Sequence, residues 1–257
     1  MIGETDFDRI KAAAGTRRYS SLEYVEFDDC RNADVVIDDG YLVILCDRSK
    51  SPSFLYFAAD DFNRVMEQIK KMSEPLRIHF VPHEYAQELC DIGFETWGEY
   101  IDYFNKDLKA APIGSYCYKE IEFLRPEECQ AASLVSKKCE GLSRGFGGET
   151  PKWFAEWIAE NDVIIVRENG VIAGFCCVAI YSEGTTLWIR EIAVDPKYQG
   201  KGYGKRLMEQ AVCWGIHKGA VKGFLAVDTI NGNAIHIYDK YGFAAGDGKG
   251  ELQMIKR

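Results

Sequence analysis

Apolar positions recur at two different periods along the chain, and the switches between them mark out the elements. Residues 41–46 (Tyr-Leu-Val-Ile-Leu-Cys) and 54–58 are short, branched or aromatic runs of strand type. Asp60 then reads as a helix N-cap, with Phe62, Val65, Met66, Ile69 and Met72 at helical spacing and Ser73-Glu74-Pro75 as the stop. Residues 77–81 predict a strand, Pro82 opens a helix to about Cys90, and Gly93-Phe94 leads into a strand through about Phe104. Before these, Asp6 begins a short helix that ends at Gly15. Residues 24–39 are acidic and weakly patterned and predict no firm element. Residues 109–115 (Lys-Ala-Ala-Pro-Ile-Gly-Ser) have the composition of a linker.

Beyond that linker the pattern is richer. Residues 116–124 alternate as a strand, and Pro126 opens a helix over 127–140. A glycine-rich loop covers 141–148. Thr150 and Pro151 cap and start a second helix, with Trp153, Phe154, Trp157 and Ile158 on one side. Residues 163–167 and 171–180 form a hairpin around Asn169-Gly170, the preferred turn pair. A strand over 186–194, a basic glycine-spaced loop, a helix over 202–218, a strand over 224–227 and a helix over 233–241 follow. Gly242-Phe243 starts a last strand, and residues 252–256 are expected to pair with it. The order β α α β β β α β α β β predicts an α/β or α+β sheet flanked by helices.

Length and composition narrow this only a little. A chain of 257 residues holds one large or two medium domains. A hydrophobic share of 47% and a charged share of 28% are ordinary for a soluble globular protein. No apolar run nears the ~20 residues of a bilayer span, and the acidic, polar N-terminus has no signal-peptide core. The nine cysteines are scattered without paired spacing, which fits a reducing cytoplasm, and Cys176-Cys177 read as small core residues. Charge is more telling. Residues 1–112 hold 13 Lys and Arg against 22 Asp and Glu, a net of −9, whereas residues 113–257 hold 18 of each. The missing basic footprint argues against a nucleic-acid binder. An acidic first part could steer a cationic substrate, although a solvated surface kept for solubility is the stronger reading. His79 and His83 are four apart, but Pro82 lies between them and no further ligand joins them, so no metal is expected.

The chemistry concentrates in residues 190–215. A short strand runs into Asp195-Pro196. Gln199-Gly200-Lys201-Gly202-Tyr203-Gly204-Lys205 follows, then an amphipathic helix. The glycines free the backbone to bend and to approach a ligand, and the helix aims its free N–H groups at the loop, as suits a phosphate or pyrophosphate. The spacing lacks the Gly-Lys-Ser/Thr of a Walker loop and the Gly-x-Gly-x-x-Gly of the dinucleotide fingerprint. It has instead the pattern Gln/Arg-x-x-Gly-x-Gly. With the strand Glu191-Ile-Ala-Val-Asp-Pro and with Asn231-x-x-Ala234-x-x-x-Tyr238-x-x-x-Gly242-Phe243, it resembles the GNAT superfamily of N-acetyltransferases.

The resemblance covers residues 113–257 and implies acetyl-CoA as co-substrate. Its pyrophosphate would lie on Gln199, Gly200, Lys201, Gly202, Tyr203, Gly204 and Lys205, and its pantetheine arm along Ile192, Ala193 and Val194, with Asn231, Ala234 and Tyr238 closing the site. Tyr238 matches the tyrosine that protonates the departing thiolate. Acyl transfer to an amine also needs a base and a donor to the oxyanion, the latter supplied by a backbone N–H of the distorted strand. Some family members carry a glutamate five residues before the signature asparagine; that position is Ala226. Glu191 is therefore the first candidate base and Asp228 the second, while a plain ion pair with Arg190 is the ordinary alternative for Glu191.

The first part echoes the second in element order, and Gly93-Phe94 echoes Gly242-Phe243. Where the glycine loop should stand there is Ala58-Ala59-Asp60-Asp61, whose charges repel a pyrophosphate. The expectation is two tandem GNAT-like domains, each a mixed sheet flanked by helices: residues 1–110, degenerate and without a cofactor loop, and residues 113–257, catalytic. The leading reading is a cytoplasmic N-acetyltransferase that acts by direct attack of a small-molecule primary amine, as a monomer or homodimer, with no nucleic acid, membrane or metal involved. A non-catalytic acyl-CoA-binding protein on the same fold and a protein or peptide N-acetyltransferase are the alternatives.

Overall fold

The last strand of the chain, Glu251–Lys256, parts company with the residues before it. In the computed structural model, which describes residues 1–23, 25–114, 118–144, 146–246, 248 and 250–257, Met1–Glu99 and Glu251–Arg257 form one unit and Tyr100–Gly250 another. Each has a mixed sheet flanked by helices, the expected α/β (α+β) class.

The first unit contains α1 (Glu4–Ala14), β1 (Tyr19–Ser20), α2 (Phe27–Cys30), β2 (Asp34–Asp38), β3 (Leu42–Asp47), β4 (Ser53–Ala59), α3 (Phe62–Ile69), β5 (Leu76–Ile78), α4 (Ala86–Asp91) and the start of β6 (Glu95–Asn105). β2, β3 and β4 are antiparallel, and β5 joins β4 in parallel. All of β3 is buried because it feeds two cores, Leu42, Ile44 and Cys46 on one face and Val43 and Leu45 on the other. Phe62, Val65, Met66 and Ile69 of α3 are the helical stripe foreseen from spacing, and all four are buried. The cap is Asp61, not Asp60: its carboxylate accepts the Asn63 N–H at 3.0 Å, while Asp60 accepts from Arg17 and from the Arg18 backbone.

Other local expectations shift. Residues 24–39, unassigned from pattern, contain α2 and β2, with Tyr24 outside the described residues. The strand expected over 77–81 stops at Ile78, and the helix expected from Pro82 begins as a 3-10 turn, His83–Tyr85. His79 and His83 face different carboxylates, Glu251 at 3.2 Å and Glu99 at 3.3 Å.

The second unit takes its first strand from Tyr100–Asn105 of β6 and continues with β7 (Glu122–Phe123), α5 (Cys129–Lys138), α6 (Pro151–Glu160), β8 (Asp162–Glu168), β9 (Val171–Tyr181), β10 (Thr186–Val194), α7 (Tyr203–His217), β11 (Lys222–Asp228), α8 (Gly232–Lys240) and β12 (Ala244–Ala245). The sheet order is β7-β8-β9-β10-β11-β6, antiparallel except between β10 and β11. Asn169 and Gly170 both have positive φ, 50° and 81°, as the hairpin turn requires. Alternation along β8 and β9 divides the core. Ile164, Val166 and Cys176 face the cluster that contains Leu207, Met208 and Ala211 of α7, and Ile165, Phe175 and Cys177 face that of Phe154 and Ala132.

Three expectations about organisation are corrected. The boundary falls at Glu99/Tyr100 rather than at 109–115: Leu108 and Ala111 are buried in the core of the second unit, and Ser115 lies outside the described residues. The strand expected over 116–124 is only Glu122–Phe123, preceded by a 3-10 turn, with Tyr116 outside the described residues. Residues 252–256 do not pair with the strand after Phe243. They run antiparallel to β5, Met254 opposite Ile78, because Leu252, Gln253, Met254 and Ile255 are all buried, which a terminal edge hairpin could not provide.

Met254 lies fully buried with Leu76, Ile78 and Leu89 in the first unit's core. Met254→Ala is expected to cost about 2–5 kcal/mol, read as a lower urea midpoint by circular dichroism. An unmoved midpoint would take the C-terminal strand out of that core.

Candidate active site

β10 and β11 pair over only three residues, Thr186 with Lys222, Leu187 with Gly223 and Trp188 with Phe224. Beyond that point β10 stays bonded to β9 as far as Val194, and β11 stays bonded to β6 as far as Asp228. The facing edges are released from each other. Tight packing holds the fork: a β-carbon on Gly174 would sit 2.7 Å from the Ala193 carbonyl oxygen, and one on Gly223 would sit 2.6 Å from Phe243 Cζ. The opening leads into a cavity of about 750 Å³, formed wholly within the second unit.

The loop after β10 and the start of α7 form one end of this cavity. Gly200 and Gly202 have φ of 77° and 87° with nothing within 4 Å of an added β-carbon, so glycine is needed there for conformation, not for space. Gly202 is the N-cap of α7 and brings no side chain to it; the first bond of the helix is from Arg206 N–H to the Gly202 carbonyl at 3.0 Å. The N–H groups of Tyr203, Gly204 and Lys205 are therefore left at the helix's positive end without an intrahelical acceptor. Gln199, Gly200, Gly202, Tyr203, Gly204 and Lys205 line the cavity. Lys201 does not: its ammonium sits 2.9 Å from Glu168, which also accepts a hydrogen bond from the Tyr203 hydroxyl.

Ile192, Ala193 and Val194 supply one wall and α8 another. Asn231 caps α8, its Oδ1 accepting the Ala234 N–H at 3.2 Å, and so fixes the turn from which Tyr238 projects. Asn231, Ala234 and Tyr238 all line the cavity. Burial raises the Tyr238 hydroxyl well above the ordinary phenol range, which keeps it protonated. Tyr241, one turn on, is fully buried and bonded to Glu209 at 2.7 Å, a core role.

Glu191 lies beside the cavity where the β9–β10 register slips by one residue between Ile189 and Glu191. Its side chain is 8% exposed. Burial, with Glu149 adding like charge, raises its pKa to about 7 against the pull of Arg190 and the Ser136 hydroxyl. Ser136 donates to Oε1 at 3.2 Å, and Oε2 is buried without a hydrogen bond. The ordinary reading, an ion pair with Arg190, is met in part: Arg190 Nη1 lies 3.5 Å from Glu191 Oε2, while both terminal nitrogens lie closer, 3.1 Å, to Glu149.

Asp228 is the opposite case. Its fully buried carboxylate receives the backbone N–H of Arg144 at 2.6 Å, Arg144 Nη2 at 2.6 Å and Nε at 3.0 Å, and Ser143 Oγ at 3.3 Å. Burial pushes its pKa up, but these donors outweigh burial and hold it below the usual carboxylate range. It anchors the 141–148 loop, of which Gly145 lies outside the described residues, and has no lone pair to spare as a base. Ala226 lines the cavity without chemistry. Sequence reasoning missed Tyr100, whose hydroxyl donates to the Arg144 carbonyl, together with Ser136, Glu149 and His236. Tyr100, Ser136 and Glu149 reach the site from distant segments with no local spacing to signal them, whereas His236 lies within the 231–243 signature itself.

The arrangement joins an anion cradle, a released strand edge, a protonated phenol and a carboxyl poised near neutrality in one cavity. Residues 132–243 match the acetyltransferase (GNAT) family. The chain is 37% identical over 81 residues to streptothricin acetyltransferase of Streptomyces lavendulae, covering 32% of this chain and 43% of that protein. It is 34% identical over 78 residues to the [ribosomal protein bS18]-alanine N-acetyltransferase of Escherichia coli, covering 30% and 51%. The chain thus spans about half, or less, of the length of these relatives. Across nearly its whole length it shares a fold with a GNAT-family acetyltransferase from Colwellia psychrerythraea, at TM-score 0.61 and 11% identity over 99% of this chain and 97% of that one. A GCN5-related N-acetyltransferase from Sphaerobacter thermophilus has TM-score 0.60 at 13% identity, over 95% and 88%.

The Arg144–Asp228 clamp carries a stability prediction. Arg144→Ala strands a buried carboxylate and is expected to cost about 2–3 kcal/mol, below a fully buried pair because the Arg144 side chain is 25% exposed. A depressed carboxylate pKa contributes stability above its unfolded value, lost as pH falls through the folded one. The deficit of the variant should therefore be full above about pH 5 and shrink in acid. Melting curves from pH 3 to pH 8 test this, and a pH-independent deficit would contradict it.

Proposed function

We propose, from the match of residues 132–243 to the GNAT acetyltransferase family and from the geometry of the cavity, that this chain is an acetyl-CoA-dependent N-acetyltransferase that moves an acetyl group to the primary amine of a small molecule by direct attack. The observation that carries this is the meeting of Glu191 and Tyr238 in the cavity that the parting of β10 and β11 opens. The residues fit the donor. The uncapped N-terminus of α7 with Gly200 and Gly202 offers backbone N–H groups to a pyrophosphate, and Ile192, Ala193 and Val194 offer a strand edge to an extended amide-bearing arm. When bound, the donor supplies an activated thioester carbonyl.

The chain's own groups do the rest. An alkylammonium must lose a proton before it attacks, and we assign that proton to the carboxyl of Glu191, which lines the cavity and has one oxygen without a hydrogen bond. A pKa of about 7 leaves a large fraction ionised at neutral pH and still basic enough to accept the proton. The register slip at Arg190 turns backbone toward the cavity, where an N–H can serve the oxyanion. Tyr238 Oη gives its proton to the leaving sulfur; the thiolate, of roughly pKa 8.5 by analogy with cysteine, then departs as a thiol. The loop held by Arg144 and the phenyl ring of Phe146 bound the cavity on the side left for the acceptor.

Thiol release from acetyl-CoA across a panel of small amines and N-terminal peptides tests the reading. Turnover with small amines is expected; turnover with peptides alone would move the acceptor to proteins, and tight acetyl-CoA binding without release would leave a binding module. Tyr238→Phe should lower kcat by about 100-fold with donor affinity near normal. For the wild type, assayed with a low-pKa amine so that the acceptor does not titrate, kcat should rise with pH through about 7, as the raised carboxyl of Glu191 ionises, and level above it. Glu191→Gln should lose that limb, and an unchanged profile would remove Glu191 as base.

A further inference from the structure

We infer that Arg190 and Glu149 act together as a positioning pair for Glu191: Glu149 and the indoles of α6 engage the Arg190 guanidinium, so that it comes only to 3.5 Å from Glu191 Oε2 and leaves that buried oxygen without a hydrogen bond. The inference rests on the proposed role of Glu191 as base and adds the device that maintains it.

The argument begins with the bulge. In a regular strand, neighbours point to opposite faces, and Arg190 would have no access to Glu191. The extra residue at the Ile189/Glu191 slip brings the two side chains within 3.5 Å of each other. Left to itself, an arginine so placed would close on the carboxylate as a bidentate pair and remove its basicity. Arg190 is instead engaged elsewhere. Both terminal nitrogens lie 3.1 Å from Glu149 Oε1, and the guanidinium carbon stands 4.3 Å from the ring centre of Trp153 and 5.5 Å from that of Trp157. Those indoles are stacked on each other, 5.2 Å apart, and Trp157 abuts Trp188. The guanidinium thus has an ion pair and two aromatic faces besides Glu191, and its Nη1 stands nearer to Glu149, at 3.1 Å, than to Glu191, at 3.5 Å.

Glu149 is fixed in turn. Its backbone N–H donates to Ser136 Oγ at 2.9 Å, its carbonyl accepts from Ser133 Oγ at 2.7 Å, and Ser136 passes its own proton to Glu191 Oε1 at 3.2 Å. Ser133 and Ser136 are fully buried. One oxygen of Glu191 is oriented by this chain, and the other has no hydrogen bond. Other titratable groups around Glu191 leave the balance to the pair. Cys176 and Cys177 of β9 and Cys139 of α5 are thiols that burial pushes up and keeps neutral. On the cavity side, Asp228 of β11 is held by Arg144, and Tyr100, Tyr203, Lys205, His236 and Tyr238 are the other titratable side chains of the lining.

The two members of the pair should move Glu191 in opposite directions. Neutralising Glu149 removes a like charge and frees Arg190 to close on Oε2; neutralising Arg190 leaves two carboxylates facing each other. The test follows the carboxyl carbon of Glu191 by NMR in the full chain labelled with carboxyl-13C glutamate, the signal assigned by its loss in Glu191→Gln. The Glu149→Gln variant is expected to lower the midpoint by about one unit or more and Arg190→Gln to raise it, with the acid limb of kcat following each. Glu149→Asp, which keeps the charge, should hold the midpoint close to that of the wild type and carries the test if Glu149→Gln does not fold. A midpoint unmoved by Glu149→Gln, or shifts of the same sign in both neutral variants, would overturn the pairing role. Absence of thiol release with Glu191 still titrating as described would sink the proposed activity alone, whereas transfer with unmoved midpoints would sink the positioning role alone.

Discussion

The second unit depends on a parallel strand pair that is made and then abandoned. Three residues of β10 and β11 bond, and the rest of each strand turns its edge to a cavity. Unpaired backbone groups in a protein interior are costly, so such a fork persists only if each arm is secured on its other side. Both are. β10 is bonded to β9 along nearly its whole length, with Gly174 allowing the Ala193 carbonyl to lie against it, and β11 is bonded to β6 from Gly223 to Asp228. The cavity is therefore a product of the sheet's own topology, and its walls are as rigid as the strands that form them.

The fork also separates two acidic side chains that sequence alone treats alike. Glu191 and Asp228 both reach the cavity from strand positions. Asp228 meets four donor atoms of the 141–148 loop and is held as an anion. Glu191 meets one hydroxyl, a like charge and a cation engaged elsewhere, and is shifted the other way. Two carboxyl groups driven apart in this manner suit different work: Asp228 fastens a loop, and Glu191 is the one proposed to exchange a proton. The difference is set by geometry, since an arginine stands near each of them. Arg144 closes on its carboxylate to 2.6 Å, whereas Arg190 comes only to 3.5 Å from Glu191 and bonds Glu149 while standing over Trp153 and Trp157.

Elements with a strong local signal were readable from sequence: the α3 stripe, the Asn169-Gly170 hairpin, the cap at Thr150, and the loop from Gln199 to Lys205. Each rests on residues within one or two turns of one another. What failed to show depends on separation. The C-terminal strand finds β5 across more than 170 residues, and its apolar run is as consistent with a hairpin as with a central strand. Residues 109–115 have linker composition, yet Leu108 at the start of the short 3-10 turn and Ala111 just after it are core residues, and composition does not report burial. In the cavity, the residues on the donor side follow one another along the chain. Those around Glu191 come from α5, from the loop before α6 and from β10, so Ser136 and Glu149 carried no mark of their neighbour.

The two units bring this contrast to its sharpest form in a pair of helix starts. In each, a strand runs through a short loop into an amphipathic helix, β4 to α3 and β10 to α7. At α3, Asp61 supplies a carboxylate that accepts the Asn63 N–H, and Asp60 beside it is paired with Arg17. The helix end is satisfied from within and already carries negative charge, which an anionic ligand would have to displace. At α7, Gly202 caps the helix through its left-handed backbone alone and leaves the first turn's N–H groups to face the cavity. A side chain able to hydrogen-bond there would stabilise the helix by about 1 kcal/mol and would occupy the donors that a phosphate needs. The two helix starts thus differ in character: the one proposed to meet the donor's pyrophosphate has no side-chain cap, and the one in the first unit already carries an aspartate there.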